Sequence, residues 1–390
     1  MSHELTSLFS NRVRDDTSYG RHAESTYEYL DRSSRPGVSE VRALLDKWYC
    51  LYPTDSRREL RARFIADFHG AFWELFLYAY FRMHSFELTP HPEVPNATRK
   101  PDYLASRNDC EFYLEAIVVR DKSDEDLSRE RVKNLLLDAI NATSSPNFFL
   151  ALRDFTVKEG KQPVARRISA FLRREVVKFD PDRISEELTA NSVLDGPVLV
   201  FEDETIRLEV TLVPRSPGAR GRGDIRPIGI YPMQTRWGGS DGPIKDAINA
   251  KATRYGLLHR PYLVGINCIS EWGLDDDDVL DALFGTPQVS FGPGNSEPIT
   301  SRRSDGAFVG PDGPWNTRVT AVIVGNLYPW GLDAGRFELY HNPWTSNPFH
   351  GCDLTVRQAS LQGDRLDWKE GPRLLDVFGL PAGWPQQPAA

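Results

Sequence analysis

The chain has 390 residues, enough to bury a sizeable core in one large domain or two, and its 40% hydrophobic and 26% charged residues are ordinary for a globular protein. A formal net charge of −8 is not that of a uniformly basic nucleic-acid binder, and no apolar run approaches the ~20 residues of a membrane span. The opening Met1-Ser2-His3-Glu4 is polar and does not read as a secretory signal, and Cys50, Cys110, Cys268 and Cys352 lie far apart with no CxxC. That spacing argues against a zinc ribbon or a disulfide scaffold and fits reduced thiols in a cytoplasm.

Residues 1–36 are polar and read as a mobile arm with a short helix near Glu24–Leu30. Val38–Tyr49 is a predicted helix. Ser56–His84 is a longer one, with Phe64, Phe68, Phe72, Leu75 and Ala79 at helical spacing. Strand signals follow at Glu87–Leu88, Asp102–Ala105 and Phe112–Val119, then a helix at Arg129–Asn141 and a strand at Phe148–Leu152. Beyond residue 160 the pattern stays α/β, with helices at Val164–Lys178, Pro243–Tyr255 and Asp276–Phe284. Strands are expected at Pro197–Phe201, Ile206–Val213, Ile228–Tyr231, Tyr262–Cys268 and Arg318–Val324. From Trp330 the chain is rich in Trp, Pro and Gly and reads as an irregular wrapping segment. The expected organisation is an arm (1–36), a core (37–160) and an α/β extension (161–390) packed on it.

Two carboxylates carry the chemical interest. Asp102 stands in Arg99-Lys100-Pro101-Asp102-Tyr103-Leu104, and Glu115 in Glu111-Phe112-Tyr113-Leu114-Glu115-Ala116-Ile117-Val118-Val119. Alternation along the second run makes both of its faces apolar, so the strand is central and its lone Glu needs a partner. Glu74 is the single charge in the aromatic stretch Gly70–Phe81 and needs one for the same reason.

A helical Glu, a Pro-Asp and a Glu in an apolar strand, in this order, resemble the PD-(D/E)xK, or restriction-endonuclease-like, nuclease superfamily across residues 57–153. The resemblance implies an α/β fold: a mixed central sheet flanked by helices, with an αβββαβ core. It implies metal-dependent hydrolysis of DNA phosphodiesters, in defence or DNA processing. Asp102 and Glu115, with the Ala116 carbonyl, would hold Mg²⁺ (or Mn²⁺), and Glu74 would join the metal shell. The motif's lysine is replaced by Ile117, so Lys133 or Lys251 is expected to supply the cation. Arg99, Lys100, Arg120, Lys122 and the loop residues Arg215, Arg220, Arg222 and Arg226 would contact DNA.

Two other readings stand beside this one. The first is a nuclease-like module without catalysis that binds nucleic acid or a protein partner, a second copy of itself included. The second is a serine hydrolase using Ser240 of Gly238-Gly239-Ser240-Asp241-Gly242, although Ser240 or Asp241 reads better as a helix cap. Asp275–Asp278 reads as an acidic helix start.

Overall fold

The computed structural model describes residues 6–386 except 96, 121–123, 159–160, 189–194, 223–224, 229–238, 257, 271–272, 292–297 and 363–364. The chain forms two compact units: Met1–Tyr19, Ser25–Asp121 and Arg236–Ala390 make the first, and Gly20–Glu24 with Lys122–Thr235 make the second. In chain order the first unit begins with helices α1 (Thr26–Arg32), α2 (Pro36–Leu51), α3 (Arg57–Ala66) and α4 (Phe68–Met83). Strands β1 (Glu87–Pro90), β2 (Tyr103–Arg107) and β3 (Cys110–Arg120) follow. The chain then builds the second unit: α5 (Asp124–Asn141), β4 (Phe148–Val157), α6 (Ala165–Val176), α7 (Pro181–Glu187), β5 (Val198–Glu202) and β6 (Ile206–Pro214). It returns to the first with α8 (Asp241–Ala252), β7 (Tyr262–Ile269), α9 (Asp276–Phe284), β8 (Pro287–Phe291), β9 (Pro298–Arg302), β10 (Val309–Gly310) and β11 (Gly313–Pro314). The last elements are β12 (Ala321–Asn326), β13 (Arg336–His341), β14 (Arg357–Gln362), β15 (Arg365–Lys369) and α10 (Leu374–Phe378).

The first unit is built on a mixed eight-stranded sheet in the order β1-β2-β3-β7-β12-β13-β14-β15. Strands β1, β2 and β3 form an antiparallel meander, and β3 then pairs parallel with β7, Glu115 opposite Val264. A parallel pair needs a crossover, and α8 is the helix that precedes β7. Both faces are covered. One carries α4, whose Phe72, Phe76 and Tyr80 form a ring-on-ring ladder at i, i+4 that meets Phe337 and Phe378. The other carries α8 and α9, with Ile244, Ile248, Val279 and Leu283 packed on Val264, Ile266 and Val322. Gly265 lets α4 come close: Trp73 Nε1 donates to the Gly265 carbonyl at 2.9 Å, and a Cβ at residue 265 would lie 2.8 Å from Leu77 Cδ1.

The second unit is a three-stranded antiparallel sheet, β4-β6-β5, with its own core of Leu136, Ile140, Leu150, Ile168, Leu172, Leu208 and Val210. This corrects the expected core. The strand at Phe148–Leu152 belongs to this sheet, and the partner of β3 is β7. A helix followed by an apolar strand occurs at both places with the same polarity pattern, so periodicity alone does not choose between them.

Three further expectations are corrected. The arm is packed in part: Leu8, Phe9, Tyr27 and Leu30 are buried, and Ser10 and Arg14 bond the Asp31 carboxylate, while Val13 stays exposed. The helix expected over Ser56–His84 breaks at Asp67, whose backbone leaves the helical region, and the missing Cβ of Gly70 leaves room for the Asp67 carboxylate. The segment after Trp330 supplies β13, β14 and β15, which extend the sheet beyond β12. The strand expected at Ile228–Tyr231 lies outside the described residues from 229 onward, whereas Asp276–Phe284 is a helix with a capping box between Asp275 and Asp278. Among the described residues no helix is long and apolar enough to cross a membrane.

Cys110 and Cys352, 242 residues apart, form a disulfide, which overturns the expectation of unpaired thiols. Tertiary folding brings the start of β3 to the loop after β13. Cys50 and Cys268 take no part in a disulfide. Thiol titration of the denatured protein should therefore find two reactive thiols without reductant and four after reduction. Four thiols in unreduced, freshly purified protein would contradict the pairing.

Candidate active site around Glu115

Glu115 occupies the middle of β3, between β2 and β7, and is 3% exposed. Its neighbours two positions away on the same face, Tyr113 and Ile117, pack in the core beneath α8, so its carboxylate points to that helix. There Lys251 Nζ donates to Oε1, the Tyr255 hydroxyl donates to Oε2, and Arg254 Nη1 lies 3.8 Å from Oε1. Lys251 follows Ile244 and Ile248 on the buried stripe of α8, and Ala252 and Tyr255 continue that stripe. A lysine in an apolar helical stripe is the sequence signal that separates Lys251 from Lys133.

Asp102 stands one step beyond the last register pair of the β2–β3 hairpin, Tyr103 with Leu114, and so comes opposite Glu115. Tyr103 and Leu114 pack toward α4, which puts Asp102 and Glu115 together on the α8 face. Asp102 Oδ2 accepts the Ala116 amide at 2.7 Å. Burial first, then the nearby charges of Glu115 and Glu74, push the Asp102 carboxyl up to about 7. The Tyr255 and Tyr262 phenols are raised as well, mainly by burial and then by the charge of Glu115. Tyr262 is fully buried, and among the described residues its hydroxyl has no hydrogen-bond partner. Neither tyrosine stands out in the sequence, because aromatic residues in a sheet and at a helix end are ordinary core residues.

The expected ring of three acids is corrected to a pair. Glu74 belongs to the α4 face, where its carboxylate takes Arg63 Nη2 and the Tyr52 hydroxyl, the latter at 3.1 Å, and its backbone carbonyl accepts the Tyr103 hydroxyl at 3.3 Å. A buried carboxylate needs a cation, and Arg63, eleven residues earlier in the chain, meets that need locally. Among the described residues no group of three or more His, Cys, Asp or Glu side chains is placed to hold one metal ion. Lys133 lies on α5, in the second unit, whereas Lys251 shares the first unit with both carboxylates.

The basic residues expected to contact DNA divide into several groups. Arg215 is 1% exposed, donates to the carbonyls of Arg222, Ile225 and Arg226, and lies over the Phe149 ring, so it is a loop-holding residue rather than a flap clamp. Arg220 binds Asp182 at 2.6 Å and the Arg215 carbonyl, and Arg226 donates to the Gly20 carbonyl. Arg120 lies 3.6 Å from Asp67, and Lys100 pairs with Glu93 at 2.6 Å. Arg99 and Arg222 are exposed, and Lys122 lies outside the described residues. The Arg57–Arg63 run holds backbone carbonyls and Glu74, and Arg167 and Arg174 pair with acids. In the second unit, Arg166 and Arg173 line a cleft of about 620 Å³.

Ser240 stands at the N-cap position of α8, is 5% exposed, and makes no capping bond through its side chain. Of the histidines a hydrolase would need, His341 bonds Gln358 at 2.8 Å and His350 is exposed.

Removing one member of a buried ion pair leaves the other uncompensated, at a cost of about 3–5 kcal/mol, and here Tyr255 and Arg254 lower that toward about 3 kcal/mol. Lys251→Met should destabilise the protein by that amount in a urea melt. Adding Glu115→Gln should restore at least half of it, a coupling of about 1.5 kcal/mol or more. A Lys251→Met protein as stable as wild type would show that the pair carries no weight. No family model, curated protein or solved structure matches this chain, so the reading of the site rests on its own geometry.

Proposed function

We propose that the protein is a metal-dependent nuclease that hydrolyses DNA phosphodiesters, on a PD-(D/E)xK plan whose lysine comes from helix α8 instead of strand β3. The observation that carries this reading is the contact of Lys251 Nζ with the Glu115 carboxylate, on the face that also holds Asp102. Ile117 cannot orient water or offset charge, and Lys251 supplies a cation to the same carboxylate from the neighbouring helix. The order α4, β1, β2, β3, α8, β7 further supports it, since it is the αβββαβ succession with the second unit inserted after β3.

Two carboxylates side by side on one face form the oxygen donor set of a hard divalent cation. Asp102 and Glu115 would hold it, with the Ala116 carbonyl as a further oxygen. When bound, such an ion would supply Lewis acidity toward the phosphate oxygens. The chain's own groups do the rest. Lys251 fixes the Glu115 carboxylate and brings positive charge to the phosphate as charge builds on its oxygens. Arg254, a third exposed at the side chain, stands ready as a second donor to the phosphate. In the displacement, a water oxygen bonds to phosphorus and the bond to the 3′-oxygen breaks. The water's proton passes to the carboxylate pair, and the departing oxygen takes a proton from solvent.

The protein should cleave duplex or single-stranded DNA with Mg²⁺ or Mn²⁺ and not with EDTA. Asp102→Asn, Glu115→Gln and Lys251→Met should each lower the rate by roughly 10²–10⁴-fold. Salt-sensitive DNA binding without cleavage under either metal would instead favour a binding module.

A further inference from the structure

We propose that Tyr262 is a catalytic residue of this site, its hydroxyl holding the water that attacks the phosphodiester; the inference rests on the nuclease reading above. Tyr262 opens β7 in register with Tyr113, two positions from the Glu115–Val264 pair. Its side chain shares the α8 face with Val264 and Ile266, the face to which Glu115 and Asp102 point. Its ring meets the edge of Tyr255, the phenol bonded to Glu115, with centroids 5.8 Å apart. Both carboxylates are close enough for their charge to act on the Tyr262 phenol.

A fully buried hydroxyl without a partner costs about 1–3 kcal/mol, and a phenylalanine would fill the same space without that cost. Glu115 makes no bond with it, although each of its oxygens keeps a lone pair beyond the bonds to Lys251 and Tyr255. Asp102 does not either, and its Oδ2 accepts the Ala116 amide. A buried polar group beside unpaired acceptors is a water-binding position. A water there accepts the Tyr262 proton in one lone pair and donates its own protons toward the two carboxylates. Its second lone pair is then the one free to meet phosphorus, which is the orientation an attacking water needs. The hydroxyl stays protonated throughout, and the water alone loses a proton.

The test compares wild type with Tyr262→Phe on a linear DNA duplex in Mn²⁺, measuring kcat, KM and thermal midpoint. The expected result is a kcat lower by about tenfold or more, an unchanged KM, and a midpoint equal to or above that of wild type, since the variant removes an unpaired buried hydroxyl. A variant as fast as wild type would overturn the inference while leaving the nuclease reading in place. So would a kcat that falls only in step with a lowered midpoint, which marks a structural role. A wild type inactive with both Mn²⁺ and Mg²⁺ would overturn the nuclease reading and this inference with it.

Discussion

A carboxylate in the middle of a strand that is covered on both faces has to be compensated, and the arrangement around Glu115 follows from that requirement. The strand is central because its residues are apolar on both sides, and this removes solvent from the one charge it carries. Desolvation of a charge costs several kcal/mol, so the fold must bring a donor to each oxygen. Helix α8 does so with Lys251, and the turn after it with Tyr255 and Arg254. Packing of Ile244 and Ile248 on the sheet sets the helix's rotation, and the helix's rotation aims the lysine.

The sheet separates two buried acids that the sequence places in one candidate cluster. Glu74 is satisfied on the aromatic face by Arg63 and Tyr52, and Glu115 on the α8 face by residues from α8 and beyond. Asp102 sits beside Glu115, and burial, then the charges of Glu115 and Glu74, push its carboxyl up to about 7. The face beneath α8 thus has two acids in proximity and an unpaired phenol, while the face beneath α4 is closed by rings.

A cluster of arginines in the chain does not by itself mark a phosphate-binding surface. Arginines that cluster in the sequence around 57–63 and 215–226 largely hold backbone carbonyls and nearby acids. A guanidinium has several donors in a fixed fork, so it ties loops and helix ends as readily as it binds phosphate. The same local accounting explains the disulfide: cysteine spacing along the chain carries no information about two positions 242 residues apart that meet only in the folded sheet.

Most elements were legible because hydrophobic period reports local geometry. The alternation around Glu115 identified a central strand, the aromatic run at 70–81 identified a helix buried nearly all round, and the acids at 275–278 marked a helix start. The residues by themselves also determined that Glu115 and Glu74 each required a partner, since the cost of a buried charge does not depend on topology. Tertiary structure alone decided which partner. It assigned β7 rather than β4 to the edge of β3, Lys251 rather than Lys133 to Glu115, and Arg63 to Glu74 on the far side of the sheet. The first two choices depend on which of several similar helix–strand pairs crosses over, settled by packing between residues more than a hundred positions apart, whereas Arg63 reaches Glu74 from eleven residues away across the break at Asp67.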